Sequence, residues 1–180
     1  MPVLARADVK VEDPVRHYEA AREYMREEKW NLAVEQLEKS LAIKNDDFRV
    51  WIDLGDALCV DARGVRYGTP ERNEQAAGAY RRATELNPGS ARAWNNLAWL
   101  RAKTKTAMDE ALAAAKRAIE IDGGRAGYQD TLAEVYFVRG ELPLALRAIR
   151  RALELQPGDD YYMKQLERFE TAVQSAQAGR

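Results

Sequence analysis

The segment VWIDLGDAL at residues 50–58 recurs, with changes, as AWNNLAWLR at residues 93–101. A third copy, YQDTLAEVY, occupies residues 128–136. Tryptophan is second in the first two segments, leucine is fifth in all three, and glycine or alanine follows that leucine. Self-similarity of this kind predicts a repeat architecture and argues against a single irregular domain.

A second pattern gives the length of the repeating unit. Each unit also carries a helix-like segment anchored by an alanine, and these alanines are spaced by 43, 35 and 34 residues. The four anchors are Ala33, Ala76, Ala111 and Ala145. The basic period is therefore about 34 residues, and the second unit is longer than the others.

The hydrophobic pattern within each half-unit is that of a helix. Leucine, alanine and aromatic residues recur at positions i, i+3, i+4 and i+7, which places them on one helical face. The segments LNPGSA at 86–91 and LQPGDD at 155–160 supply Pro-Gly breaks between units. Each unit is therefore expected to be a pair of helices that buries its apolar face only by stacking on its neighbours.

This pattern resembles the tetratricopeptide repeat, whose signature is W-x2-L-G-x2-Y, then A-x3-F, then P. The second unit carries the fullest set of matching residues, namely Trp51, Leu54, Gly55, Leu58, Ala76, Tyr80, Ala83 and Pro88. Departures include His17 at a tryptophan position, Arg101 at the tyrosine position and Gly123 at the proline position. The resemblance, of bacterial type, implies an all-α solenoid of stacked antiparallel helix hairpins in a right-handed superhelix.

The repeat register divides the chain into an arm, four units and a cap. We expect an extended or disordered arm at 1–13, repeats at 14–47, 48–90, 91–125 and 126–158, a capping helix at 159–177 and a frayed tail at 178–180. The capping helix is expected to pack on the second helix of the fourth repeat, with Asp159 and Asp160 favouring its start.

In this family the first helices of the units line a concave groove that binds partners. The resemblance assigns to this groove Tyr18, Arg22, Met25, Arg49, Ile52, Asp56, Arg92, Asn95, Trp99, Lys103, Asp130, Glu134 and Phe137. The surface is expected to be basic toward the N-terminal and central repeats and acidic toward the last. Some relatives clamp the terminal carboxylate of a chaperone, but only Arg92 matches that clamp, so we expect no such role here.

The extra length of the second unit lies between its two helices. Leu58 and Ala76 are 18 residues apart, whereas the corresponding Tyr136 and Ala145 are nine apart, which leaves a nine-residue insertion. Thr69 and Pro70 are typical of a helix start, so part of the insertion should lengthen the second helix by about one turn.

The rest of the insertion has two interpretations. The simpler one is tolerated length, because lengthening a surface loop costs little entropy. The alternative is a contact loop at the groove edge, in which Arg63, Arg66 and Tyr67 would meet an acidic or phosphorylated partner.

Composition argues against several other functions. Lysine and arginine number 28 against 29 acidic residues, a formal net charge of -1, which does not favour a nucleic-acid partner. One histidine and one cysteine cannot form a usual zinc site, and no nucleotide-binding glycine motif is present. We therefore expect no catalytic residue, no cofactor and no metal.

No run of 18 apolar residues occurs, so no membrane insertion is expected. The pattern Ala5-Arg6-Ala7 resembles a leader cleavage site but lacks an apolar stretch before it. A cytoplasmic protein is expected, or a periplasmic one if a leader was removed.

The resulting hypothesis is a non-enzymatic scaffold or adaptor that binds a peptide or helix of another protein in the concave groove. Two alternatives stay open at this point. One is a self-assembling module that forms a homo-oligomer through its N-terminal arm. The other is an assembly factor for a bacterial envelope complex.

Overall fold

A computed structural model describes residues 13–61 and 63–178, and within these ranges the chain is all-α. The described helices are α1 (Pro14–Arg26), α2 (Trp30–Ile43), α3 (Phe48–Leu58), α4 (Pro70–Leu86), α5 (Ala91–Thr104), α6 (Met108–Ile121), α7 (Ala126–Val138), α8 (Leu142–Leu155) and α9 (Asp160–Ala178). The predicted arm lies, apart from Asp13, outside the described residues.

The helices pair in sequence order and the pairs stack. Helices α1–α2, α3–α4, α5–α6 and α7–α8 form hairpins, and successive hairpins meet through α2–α3, α4–α5 and α6–α7. The first helices of the third and fourth pairs, α5 and α7, are also in contact. Helix α9 packs on α8, as expected for the cap. The predicted α-solenoid fold is confirmed.

Side-chain caps stabilise the starts of four helices. The side chains of Asp13, Asp47, Ser90 and Asp159 each accept a hydrogen bond from a backbone amide two or three residues later, at the first turn of α1, α3, α5 and α9. Such caps satisfy amides that lack a partner within the helix.

The two repeat tryptophans perform the same task in successive units. The Trp51 indole nitrogen donates to the carbonyl oxygen of Asn45 at 2.9 Å, and Trp94 donates to that of Pro88 at 3.0 Å. Each indole is half-buried and ties its first helix to the turn that precedes it. In both units the indole bonds to a carbonyl six residues earlier, so the repeat predicted from the sequence is also a repeat of contacts.

The glycine of the second unit is required by a close helix approach. A Cβ atom built on Gly55 would lie 2.4 Å from Cε1 of Tyr80 on α4. The Tyr80 ring is almost fully buried, so it has little room to move away. Helices α3 and α4 can approach this closely only because residue 55 has no side chain.

Arg101 replaces the aromatic residue expected at its position and is itself buried. Its side chain is 2% exposed and pairs with Glu74 on α4 and Glu110 on α6. Arg101 Nη2 lies 3.0 Å from Glu74 Oε2, and Nε lies 2.9 Å from Glu110 Oε2. Because each acid meets the planar guanidinium with good geometry, the charge is accommodated in the interior and links α4, α5 and α6.

The insertion in the second unit lengthens α4 as predicted. Helix α4 has 17 residues, whereas α2, α6 and α8 have 14 each, so it is longer by three residues or about one turn. Thr69 precedes α4 with extended backbone and Pro70 begins it, but the Thr69 side chain makes no capping hydrogen bond. The predicted helix start, with Thr69 as the capping residue and Pro70 in the first turn, is therefore confirmed.

Replacing Gly55 by alanine should destabilise the fold, because the new methyl group would overlap the Tyr80 ring. We expect the free energy of unfolding in urea to fall by about 1–3 kcal/mol, the usual range for overpacking a core. Gly78→Ala is the matched control, since a Cβ on that helical glycine meets no atom within 4 Å. The control should gain about 0.5–1 kcal/mol from helix propensity. Equal stability of Gly55→Ala and the wild type would contradict the close approach.

Candidate functional site

A groove of about 550 Å³ opens on the side of the solenoid formed by the first helices. We call it the N-terminal groove, and its walls come from α1, the start of α2, α3 and α5. Its lining residues are Tyr18, Arg22, Met25, Arg26, Trp30, Arg49, Asp53 and Arg92. Five of these were predicted from the sequence to contact a partner, and the structure brings those five together.

The floor of the groove holds a buried acid between two donors. The Tyr18 hydroxyl donates to Asp53 Oδ2 at 2.8 Å, and Arg92 Nη2 donates to Asp53 Oδ1 at 3.2 Å. Burial, reinforced by the hydrogen bond to Asp53, raises the pKa of Tyr18 to about 12. Both Asp53 oxygens are therefore occupied, and this acid, which was not among the predicted groove residues, offers little to a ligand.

Asp56 lies next to this pair and is similarly enclosed. Its Oδ2 accepts from Arg92 at 2.6 Å, and its Oδ1 accepts from the Tyr80 hydroxyl at 2.7 Å and from Asn96 Nδ2 at 2.8 Å. Loss of solvent raises the pKa of Asp56 although these donors oppose the rise. The predicted role of Asp56 on the open surface is corrected to a link between α3, α4 and α5.

The acids predicted for the last repeat are covered by α9. Asp130 is 6% exposed and accepts a hydrogen bond from the Tyr161 hydroxyl at 3.3 Å. Glu134 is 7% exposed and pairs with Arg168 of α9 and with Lys103 of α5. The expected acidic surface at this end is therefore wrong, because the capping helix buries both carboxylates and its Arg168 pairs with Glu134.

Phe137 of the last repeat is also engaged by the cap. Its ring stacks on Phe169 with the ring centres 4.7 Å apart, and the Arg168 guanidinium lies 4.6 Å from the Phe137 ring centre. Phe169 is fully buried. These contacts make Phe137 part of the packing between α7 and α9 and leave little of it for a partner.

Two predicted residues of the second and third units differ in accessibility. Ile52 is 2% exposed and belongs to the main apolar core, so its predicted contact with a partner is wrong. Asn95 is half-buried, and its Oδ1 atom is buried without a hydrogen-bond donor among the described residues.

Trp99 lies where the groove meets the insertion. It is half-buried, with Lys103 Nζ 4.8 Å from the indole ring centre, a cation–π contact. Burial raises the pKa of Tyr67 in the insertion, while a hydrogen bond from Trp99 opposes that rise. The Tyr67 side chain of the insertion therefore lies close to Trp99 of α5.

The insertion is a folded loop. Asp61 Oδ1 accepts hydrogen bonds from the backbone amides of Arg63 and Val65 at 2.8 and 3.0 Å. The Tyr67 amide donates to the Cys59 carbonyl oxygen at 2.7 Å. Arg72 of α4 donates to the carbonyl oxygen of Val60 at 2.8 Å, just beyond the end of α3. The dipole of α3 favours a cation at this end.

The three predicted contact residues of the loop have different surroundings. Tyr67 is half-buried, packs against the main core and has φ of 58°. Its contact with a partner stays a prediction. Arg63 is exposed but its Nη2 lies 2.8 Å from Asp61 Oδ2. Arg66 is exposed and pairs its backbone with Val60. A role for Arg63 and Arg66 in recognition stays a prediction.

The groups with potential chemical reactivity are held in unreactive settings. Cys59 is buried 3.6 Å from the Tyr80 hydroxyl, and burial raises the pKa of its thiol to about 11. His17 Nδ1 lies 2.7 Å from Gln36 Oε1. In residues 13–61 and 63–178, no group of three or more metal-ligating side chains comes together. No helix in those same ranges is long and apolar enough to cross a bilayer.

The buried Asp130 gives a test that depends on pH. Burial raises its pKa from 3.8 to about 6, so the folded protein holds this proton more tightly than the unfolded chain. Folded-state stability therefore falls as pH rises from about 4 to about 6, and ionised Asp130 is destabilising above that window. Asp130→Asn should raise the free energy of unfolding by about 1–3 kcal/mol at pH 7.5, and this gain should vanish near pH 4.

Urea unfolding at several pH values measures this difference. Asp46→Asn, at an exposed position between α2 and α3, is the control and should change stability little at either pH. A loss of stability for Asp130→Asn at pH 7.5 would show that ionised Asp130 is well paired, contrary to the effect of its burial.

Comparison with known proteins agrees with this geometry. Residues 62–126 match the family described as the tetratricopeptide repeat. A search of curated protein sequences gave no significant match.

Solved structures similar to the chain include MamA from Desulfovibrio magneticus RS-1, with 16% identity, a TM-score of 0.76 and coverage of 97% of this chain and 90% of that one. TTC0263 from Thermus thermophilus has 24% identity, a TM-score of 0.69 and coverages of 91% and 83%. YrrB, described as a tetratricopeptide-repeat protein with an unusual peptide-binding site, has 22% identity, a TM-score of 0.70 and coverages of 84% and 73%.

At these identities the structural similarity shows the fold, and the family match covers the insertion and the third unit. The stacked hairpins, the paired tryptophans and the small residue at the close helix approach agree with both. The chain has the fold of tetratricopeptide-repeat proteins, and its residues 62–126 match that family.

Proposed function

We propose that the chain is a non-enzymatic scaffold that binds a peptide or helix of a partner protein in its concave face. The observation that carries the proposal is the N-terminal groove, where exposed cations surround half-buried apolar side chains. Solenoids of this kind use extended concave surfaces for binding. Aromatic and arginine side chains of the type found here are frequent anchors of protein interfaces.

The available binding surface extends from α1 to α5. Tyr18, Met25 and Trp30 are half-buried in the groove and present apolar surface between the arginines. Trp99 continues this surface on α5. Beyond it, α9 covers the inner face of α7, so a partner is expected to engage the first three units and not the fourth.

The similarity to YrrB is consistent with this proposal, since that protein is described by its peptide-binding site. The residues that would bind a partner in this chain are inferred from its own N-terminal groove, and not from YrrB. Binding to another protein, without catalysis, is the function that this surface supports best.

The proposal predicts that truncating the apolar groove surface removes the partner. The double variant Met25→Ala with Trp99→Ala should lose partners captured from a lysate of the source cell, as measured by quantitative mass spectrometry. The matched control is Leu32→Ala with Ile43→Ala, which removes two exposed apolar side chains of α2 outside the groove lining.

Both variants are first checked for a cooperative thermal transition, so that lost binding is not caused by unfolding. Partners retained by the groove variant as well as by the control would contradict binding in the concave face.

A further inference from the structure

Cations outnumber acids among the side chains that line the N-terminal groove, although the chain as a whole is nearly neutral. Four arginines line the groove against one acid, Asp53, whose carboxylate is already bound by Tyr18 and Arg92. The formal net charge of the chain is -1, so this local excess of cations is not a consequence of a basic composition. Arg26, Arg49 and Arg92 also pair with Glu23, Asp47 and Asp56, which do not line the groove, and all four guanidinium groups stay largely exposed to solvent.

The arginines keep donors free for a ligand. The side chains of Arg49 and Arg92 are 66% and 56% exposed. Arg92 contacts both of its acids through Nη2, and Arg49 contacts Asp47 through Nε and Nη2. A guanidinium has five N–H donors, so each retains donors directed elsewhere.

Arg22 is the most available of the four. Its guanidinium lies 5.9 Å from the Tyr18 ring centre, and no carboxylate of the described residues forms an ion pair with it. The aromatic contact orients the cation toward the groove without neutralising it. An arginine held in this way is suited to a carboxylate that arrives with a partner.

We propose that the N-terminal groove binds an acidic segment of the partner that also carries an apolar side chain. Carboxylates of the segment pair with Arg22 and Arg49, and the apolar side chain packs on Met25 and Trp30. This inference rests on the proposed function and names the chemistry of its partner. A peptide is favoured over a nucleic acid because the groove joins its cations to apolar side chains in a chain with no overall basic excess.

Three synthetic peptides test the proposal. They share their length and their leucine and alanine positions and carry glutamate, glutamine or lysine at all other positions. Their ends are acetylated and amidated, so that only side chains differ. In backbone NMR titrations at low salt, the glutamate peptide should bind at least about tenfold more tightly than the other two and shift amides of α1 and α3. Added salt should weaken this binding.

A charge-reversal variant identifies the cations responsible. Arg22→Glu with Arg49→Glu should weaken glutamate-peptide binding by roughly tenfold or more, because attraction becomes repulsion. The control is Arg117→Glu with Arg151→Glu, an equal change of charge at exposed arginines on the second helices α6 and α8, and it should leave binding near the wild-type value. Thermal unfolding confirms that both variants fold.

Several results would overturn the inference. They are equal or tighter binding of the glutamine or lysine peptide, no binding of the glutamate peptide, no effect of the groove reversal, or tighter binding of a single-stranded oligothymidine. A glutamine peptide that shifts the same amides would leave the scaffold function standing and remove only the acidic partner. Retention of cellular partners by the apolar groove variant would instead reject the scaffold function itself.

Discussion

Ion pairs between acids of the first helices and cations of neighbouring units or of the cap shape both the stacking and the surface of this protein. Asp53 and Asp56 of α3 are held by Arg92 of α5, and Glu134 of α7 is held by Lys103 of α5 and Arg168 of α9. Each pair joins consecutive units on the inner side of the solenoid. Removing one partner would leave a buried charge uncompensated, which is far more costly than losing an exposed ion pair.

The same pairing determines which charges a partner meets. Asp53 and Glu134 are buried and bound, so the exposed guanidinium groups set the character of the inner face. This positive character is strongest near α1. Arg22 of that helix forms no ion pair with an acid of the described residues, whereas Arg92 of α5 binds acids of the unit before it. At the other end α9 takes the place of a further first helix and covers Asp130 and Glu134. The open binding surface is therefore asymmetric along the stack.

The period predicted the fold because it records contacts that recur along the chain, such as the indole hydrogen bonds of Trp51 and Trp94. The groove was predicted less completely. Family positions place a residue on a helix face, but they do not say whether the next helix covers it, which is why Ile52 and Asp130 proved buried. The sequence also marked Arg101 as a departure from the repeat signature, but it did not identify the acids that bind it. Glu74 lies 27 residues before Arg101 and Glu110 nine residues after it.

The central claim is that the inner face of the first two units is positive because arginines outnumber acids among its lining side chains and Arg22 forms no ion pair with the described residues. The most direct measurement is the near-surface electrostatic potential, obtained by NMR from the relaxation enhancement caused by anionic and cationic paramagnetic cosolutes. The account predicts stronger enhancement by the anionic probe for protons of Arg22, Met25 and Arg49. Equal enhancement by the two probes at these protons, or stronger enhancement by the cationic one, would contradict it.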